Sequence, residues 1–137
     1  MAEGQSMVEV DDEVRLVIPA EPGFLRLARL TAAAVASRMG FTFDEVEDLR
    51  IAVDELCYFL LGGRAGLGAI TLVCRIGDDG LDVTGAGSWT NGAGSSATPT
   101  QLPELSRRIL ESVVDEYECD GDSAAPSFRL LKRRSAA

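Results

Sequence analysis

The chain has 137 residues, 46% of them apolar, and carries thirteen basic against twenty-two acidic side chains for a formal charge of −9. A domain of that length buries roughly 68% of the surface its unfolded chain exposes, so one hydrophobic core suffices without disulfide or metal staples. The acidic surface argues against binding DNA or RNA directly, and a chain without histidine is short of ligands for a transition metal.

Cys57, Cys74 and Cys119 lack CxxC or CxxxH spacing and read as buried or half-buried thiols of a reducing compartment. General acid or base chemistry would fall to a carboxylate, a cysteine, a tyrosine or the single lysine, Lys132. The acidic opening "MAEGQSMVEVDDEV" has no apolar signal region, and no apolar run reaches the roughly 18 residues of a membrane span. The expected location is the cytosol, away from the membrane.

In chain order, residues 1–12 are expected to be disordered, 13–133 to form one domain, and 134–137 a short tail. "EVRLVIP" alternates Val14, Leu16 and Ile18 with Arg15 and Val17 and closes on Pro19, as a strand does. "PGFLRLARLTAAAVASRMG" predicts a helix with Phe24, Leu27, Ala28, Thr31 and Val35 on its buried face, Arg26 and Arg29 together on another, and Gly40 at its end.

Thr42 and Glu45 in "TFDE" match a capping box, in which hydroxyl and carboxylate each satisfy a free N–H at a helix start. The helix that follows places Val46, Leu49, Val53, Leu56 and Leu60 on its core side and ends in "GGRAGLG". Asp54 and Glu55 interrupt its most hydrophobic segment but point aside from that stripe, and Ala52, Glu55 and Phe59 share one face. For a pair of acids on an amphipathic helix the plain reading is a solvated edge.

"AITLVCRI" and "GLDVTG" are period-two strands around the turn "GDDG". About residues 85–103, "GAGSWTNGAGSSATPTQLP", show no periodicity and are read as a functional or mobile lid. "QLPELSRRILESVVDEYE" predicts a last helix with Leu102, Leu105, Ile109, Val113 and Glu116 or Tyr117 in line, and "SFRLLKR" a last strand. Burying every stripe at once gives a two-layer α/β sandwich: a mixed, mostly antiparallel sheet covered on one face by three helices.

That order, with "FDEVEDLRIAVDELC" at residues 43 to 57 as its most specific part, resembles the RsbW-type anti-sigma factors of the gyrase B and histidine-kinase ATP-binding superfamily, from about Val14 to Leu131. The resemblance implies sequestration of an alternative sigma factor of the stress or sporulation type, release by a STAS-type anti-anti-sigma factor, and a homodimer. It assigns Glu55 to the family's general base and Phe59 to the position of its magnesium-binding asparagine. Magnesium takes oxygen ligands, and a phenyl ring supplies none.

The resemblance further sets "GAGSW" on the family's D-x-G-x-G box, so that Gly85 stands for the adenine-binding aspartate, Gly87 is kept and Trp89 replaces a glycine. The glycines before the last helix are replaced by "PELSRR". The nucleotide site of Glu55, Phe59, Gly85 and Gly87 is therefore expected to be degenerate, with ATP and Mg²⁺ not required and Glu55 a vestigial base. An active ATP-dependent serine kinase is the competing reading. Arg29, by its place in "ARLT", corresponds to the family's partner-surface arginine, and Arg26 lies one turn before it.

Overall fold

The computed structural model describes residues 12–64, 67–90, 101–121 and 125–135. The expected disordered start, most of the lid and the end of the tail lie outside these residues. Strand β1 (Glu13–Pro19) leads through a 3-10 turn (Pro22–Phe24) into α1 (Leu25–Arg38) and α2 (Phe43–Leu61). The hairpin β2 (Gly68–Ile76) and β3 (Gly80–Trp89) follows, then α3 (Glu104–Val113), β4 (Glu116–Asp120) and β5 (Ser127–Arg133).

The five strands form one sheet in the order β1-β2-β3-β5-β4, and each neighbouring pair is antiparallel. The registers Leu16↔Leu72↔Gly85↔Phe128↔Cys119 and Val14↔Cys74↔Val83↔Leu130↔Tyr117 put these side chains on one face. On that face Leu72, Cys74, Val83, Phe128 and Leu130 join Leu25, Leu49, Val53, Leu56, Leu60 and Leu110 in a single core. The opposite face carries Arg15, Thr71, Thr84, Ser127 and Arg129, as period-two strands with one buried side require. The architecture is the two-layer α/β sandwich expected from the sequence, with a sheet that is antiparallel throughout rather than mixed.

The capping box is formed: the Glu45 N–H donates to Thr42 Oγ1 at 3.1 Å and the Thr42 N–H to Glu45 Oε1 at 2.7 Å. That second bond holds the Glu45 carboxyl below its usual range. Gly62 closes α2 in the left-handed region, at φ 50, where a side chain would be strained. Lys132 ties the layers together by donating to the Val113 carbonyl at 2.8 Å, with Asp48 at 3.5 Å.

Three expectations are corrected. The α1 stripe is Leu25, Ala28, Ala32, Val35 and Ala36, whereas Phe24 and Leu27 are exposed. The 3-10 turn consumes Phe24, and a line of alanines permits a closer approach to α2 than a line of large residues would. The lid begins later than expected, because Gly85 to Trp89 continue β3 against Gly68 to Leu72 of β2.

The last helix stops at Val113, where Val114 turns extended, and Glu116–Asp120 is a strand paired with β5. Tyr117 and Cys119 alternate with exposed Glu116, Glu118 and Asp120 there, a period-two run that a helical reading of Val113 to Tyr117 had absorbed. Leu105, placed in the buried line, is exposed, and Leu110 takes its place in the core.

Candidate functional site

The helix that carries the acids has two sides with different neighbours. Leu49, Val53, Leu56 and Leu60 are fully buried, and one step around the helix Asp54 and Glu55 are half-buried. Asp54 is engaged by α1: Arg29 Nη1 donates to Asp54 Oδ1 at 2.9 Å, with both side chains about one third exposed. A pair this wet contributes at most about 1 kcal/mol to stability, but it fixes where the guanidinium sits. Arg26 is exposed on α1.

Glu55 shares with Tyr58, Phe59, Leu102 and Ser106 a cavity of about 210 Å³. Next to it lies one of about 420 Å³, lined by Phe59, Gln101, Leu102, Arg107, Tyr117, Cys119 and Gly121. Phe59, at 5% exposure, belongs to the core and lines both. The space between α2, α3 and β4 thus mixes Phe59, Leu102 and Tyr117 with the polar Gln101, and has Glu55 on the wall of one cavity and Arg107 on that of the other. Among the described residues, no three acids or cysteines come close enough to hold a metal ion.

The adjacent end of β3 is closed by rings. A Cβ at Gly85 would clash with Cε2 and Cζ of Phe128, its partner across the β3–β5 pair. An aspartate there would have to expel that ring. A Cβ at Gly87 would lie 2.7 Å from Trp89 Cζ3, and one at Gly68 2.5 Å from Trp89 Cδ1, so the indole lies across both glycines. The Arg64 guanidinium stands 5.2 Å from the indole centroid.

The thiols are not poised for chemistry. Burial, reinforced by the charge of Asp54, pushes Cys57 up to about 12, and burial pushes Cys74 up to about 11. Cys119 is raised by burial against the opposing pull of Arg107. Thiolates are the reactive form, so these values mark inert side chains.

The structure brings Glu55 and Phe59 to one cavity and sets Gly85 and Gly87 side by side on the helix-covered end of β3, while Arg26 and Arg29 stand on α1. Sequence reasoning missed Phe128 and Arg64, and placed Tyr117 on a helix rather than on β4. Phe128 lies some forty residues after Gly85, and only the β3–β5 register brings the two together. Two glycines two apart in a strand, followed by the single tryptophan of the chain, were a readable signal for a ring packed against bare backbone.

No known protein-family profile matches the chain. Among curated proteins, it is 35% identical over 82 residues to the serine-protein kinase RsbW of Bacillus cereus (strain B4264), covering 58% of this chain and 51% of that protein. It is 52% identical over 46 residues to the serine-protein kinase RsbW of Bacillus subtilis (strain 168), covering 34% and 29%. The chain spans about half the length, or less, of the curated relatives it matches. Among solved structures, that of the RsbU and RsbW domains of a Mycobacterium tuberculosis protein superposes with a TM-score of 0.67 at 14% identity, over 91% of this chain and 33% of that one. The resemblance to RsbW-type proteins is borne out, and the fold is that of the gyrase B and histidine-kinase ATPases.

Proposed function

Taking the kinship with RsbW-type proteins as the premise, we propose that this chain is a partner-switching anti-sigma factor that works without phosphoryl transfer. It holds an alternative sigma factor of the stress or sporulation type and yields it to a STAS-type antagonist. The observation that carries the non-catalytic part is the ring of Phe128 over Gly85, which occupies the space of the only side chain the family would use there to accept from adenine. Phe59 adds to it, since a buried phenyl group cannot ligate magnesium. Positioning the nucleotide and neutralising its charge are most of what a phosphoryl-transfer site does, and among the described residues Phe128 and Phe59 stand where the family's adenine-binding side chain and metal ligand would be.

A stable complex needs about 800 Å² on each partner, centred on arginines and apolar anchors. α1 supplies Arg26 and Arg29 beside exposed Leu27 and Leu30. Arg29 is held at the junction with α2 by Asp54 rather than left to wander, which lowers the ordering entropy that a partner must overcome. Without a kinase step, release follows from competition between sigma factor and antagonist for this surface, or from modification of the antagonist by another enzyme. The working unit in this reading is a cytosolic homodimer.

One observation favours a second reading, a working serine kinase: Glu55 is retained on the wall of a cavity, and the curated relatives are named kinases. Incubation with ATP, Mg²⁺ and a STAS-domain antagonist separates the two. The anti-sigma reading predicts no phosphoserine on the antagonist at any enzyme ratio. Phosphorylation that disappears in Glu55→Gln would replace it with the kinase.

A further inference from the structure

We propose that the outer edge of β4 docks an extended segment of another protein, one whose side chains alternate between cationic and uncharged. β4 is the last strand of the sheet and, among the described residues, pairs only with β5. Backbone groups of a strand point alternately to its two sides, so half of the N–H and C=O groups of Glu116–Asp120 face away from β5, where the described residues place no further strand. An extended peptide adds to such an edge through main-chain hydrogen bonds. Cys119 borders a cavity on each face of the sheet: the one of about 420 Å³ toward α3, and one of about 430 Å³ on the open face, also lined by Glu118, Asp120, Ser127 and Arg129. Both faces therefore have room for the side chains of an added strand.

The two faces select different side chains. On the open face Glu116, Glu118 and Asp120 are exposed. Arg133 Nη2 meets Glu116 at 3.2 Å, but Arg129, across from Glu118, turns its Nε and Nη2 to Asp82 at 2.9 and 2.6 Å. An excess of acid remains along the edge. On the helix side Tyr117 and Cys119 are half-buried and share their cavity with Arg107, whose charge opposes the entry of a cation. A docked strand thus sets lysine or arginine opposite the acids and uncharged residues opposite Tyr117 and Cys119, and a slip by one residue reverses both matches. A second copy of the chain does not fit, because antiparallel pairing about Glu118 sets Glu118 against Glu118 and Glu116 against Asp120. The opposite edge lacks the acidic excess, since Glu13 and Arg15 of β1 pair with each other at 3.0 Å. α1 packs over β1 and β2, so the β4 edge is separate from the α1 surface and the inference holds whatever partner α1 binds.

The probe is a short fluorescein-labelled peptide alternating lysine and valine, titrated into the full chain and read by anisotropy, and it is expected to bind saturably. N-methylation of alternate residues keeps every side chain but removes the donors of one peptide edge, and should weaken binding by about tenfold or more when that edge is the one facing β4. The same residues arranged as a lysine block and a valine block should lose a comparable factor. Glu118→Lys should do so too, whereas Glu21→Lys, the same charge change beyond the far edge of the sheet, should not. In nitrogen-15 correlation spectra the amides of Glu116–Asp120 should shift most. Absence of saturable binding by the alternating peptide would overturn the proposal. Equal binding of both N-methylated forms or of the block peptide, or an equal loss in Glu21→Lys, would also overturn it, since each reduces the effect to attraction by the net charge of −9. If Glu118→Lys does not fold, the N-methylated and block peptides decide the question on the native chain.

Discussion

The two sides of α2 pack against different neighbours. The side toward the sheet, with Leu49, Val53, Leu56 and Leu60 fully buried, keeps the packing of an ATP-binding fold. Toward α3 and the end of β3, Phe59 lines the cavity that Glu55 borders, Phe128 crowds Gly85, and Trp89 lies against Gly87. The contrast teaches that the residues packed against the sheet can hold the fold independently of those that border the cavities. Rings packed there contribute to stability through burial, at roughly 25 cal/mol per Å².

The largest expected effect tests the kept side. Leu56→Ala should lower unfolding free energy by about 2–5 kcal/mol, read as a shift in denaturant midpoint, because the residue is wholly buried among α2 and sheet side chains. A loss under about 1 kcal/mol would mean that the helix does not pack as described.

Next comes the filled side. Gly85→Asp should destabilise by about 1–3 kcal/mol through overpacking against Phe128. The double variant with Phe128→Ala should lose less than the sum of the two single losses, since the second change removes the obstacle met by the first. Strict additivity would show that Gly85 and Phe128 do not compete for the same space.

The core thiols give a pH signature of intermediate size. The folded pKa of Cys57 is raised from 9.0 to about 12, so its contribution to stability is complete below pH 9 and falls away as pH rises from there toward 12. Melting temperature should decline across that window and decline less in Cys57→Ala, measured relative to its own value at pH 7. Parallel declines would place the alkaline lability elsewhere.

The smallest effect on stability belongs to the α1–α2 junction. Arg29→Glu should cost about 1 kcal/mol or less in folding, because its ion pair with Asp54 is partly exposed. On the proposed function it should nonetheless weaken binding of both sigma factor and antagonist by about tenfold or more, as loss of a central arginine does. Unchanged affinity for both partners would remove Arg29 from the interface.

Much of the scaffold was legible because local signals agreed. Thr42, Glu45 and the 3.6-residue spacing from Val46 to Leu60 each specify the same helix, and strict alternation in "AITLVCRI" specifies a strand. The misreadings share a cause: short elements whose pattern fits two periods. Val113 to Tyr117 satisfies helical spacing, and only pairing with Leu130 and Leu131 makes Glu116–Asp120 a strand. Gly85 to Trp89 looks like a loop because glycines carry no periodicity, and β2 decides it. The site was half legible. Phe59 and Gly85 could be named from the resemblance, but what fills the space above Gly85 is set by Phe128, a long-range neighbour that no local pattern identifies.

The central claim is that partner binding does not need a nucleotide. Calorimetric titration of the purified protein with a stress or sporulation sigma factor, with and without ATP and Mg²⁺, tests it directly. The account predicts the same affinity in both titrations and no heat from ATP–Mg²⁺ alone. Tight ATP binding, or sigma binding that appears only when ATP is present, would contradict it.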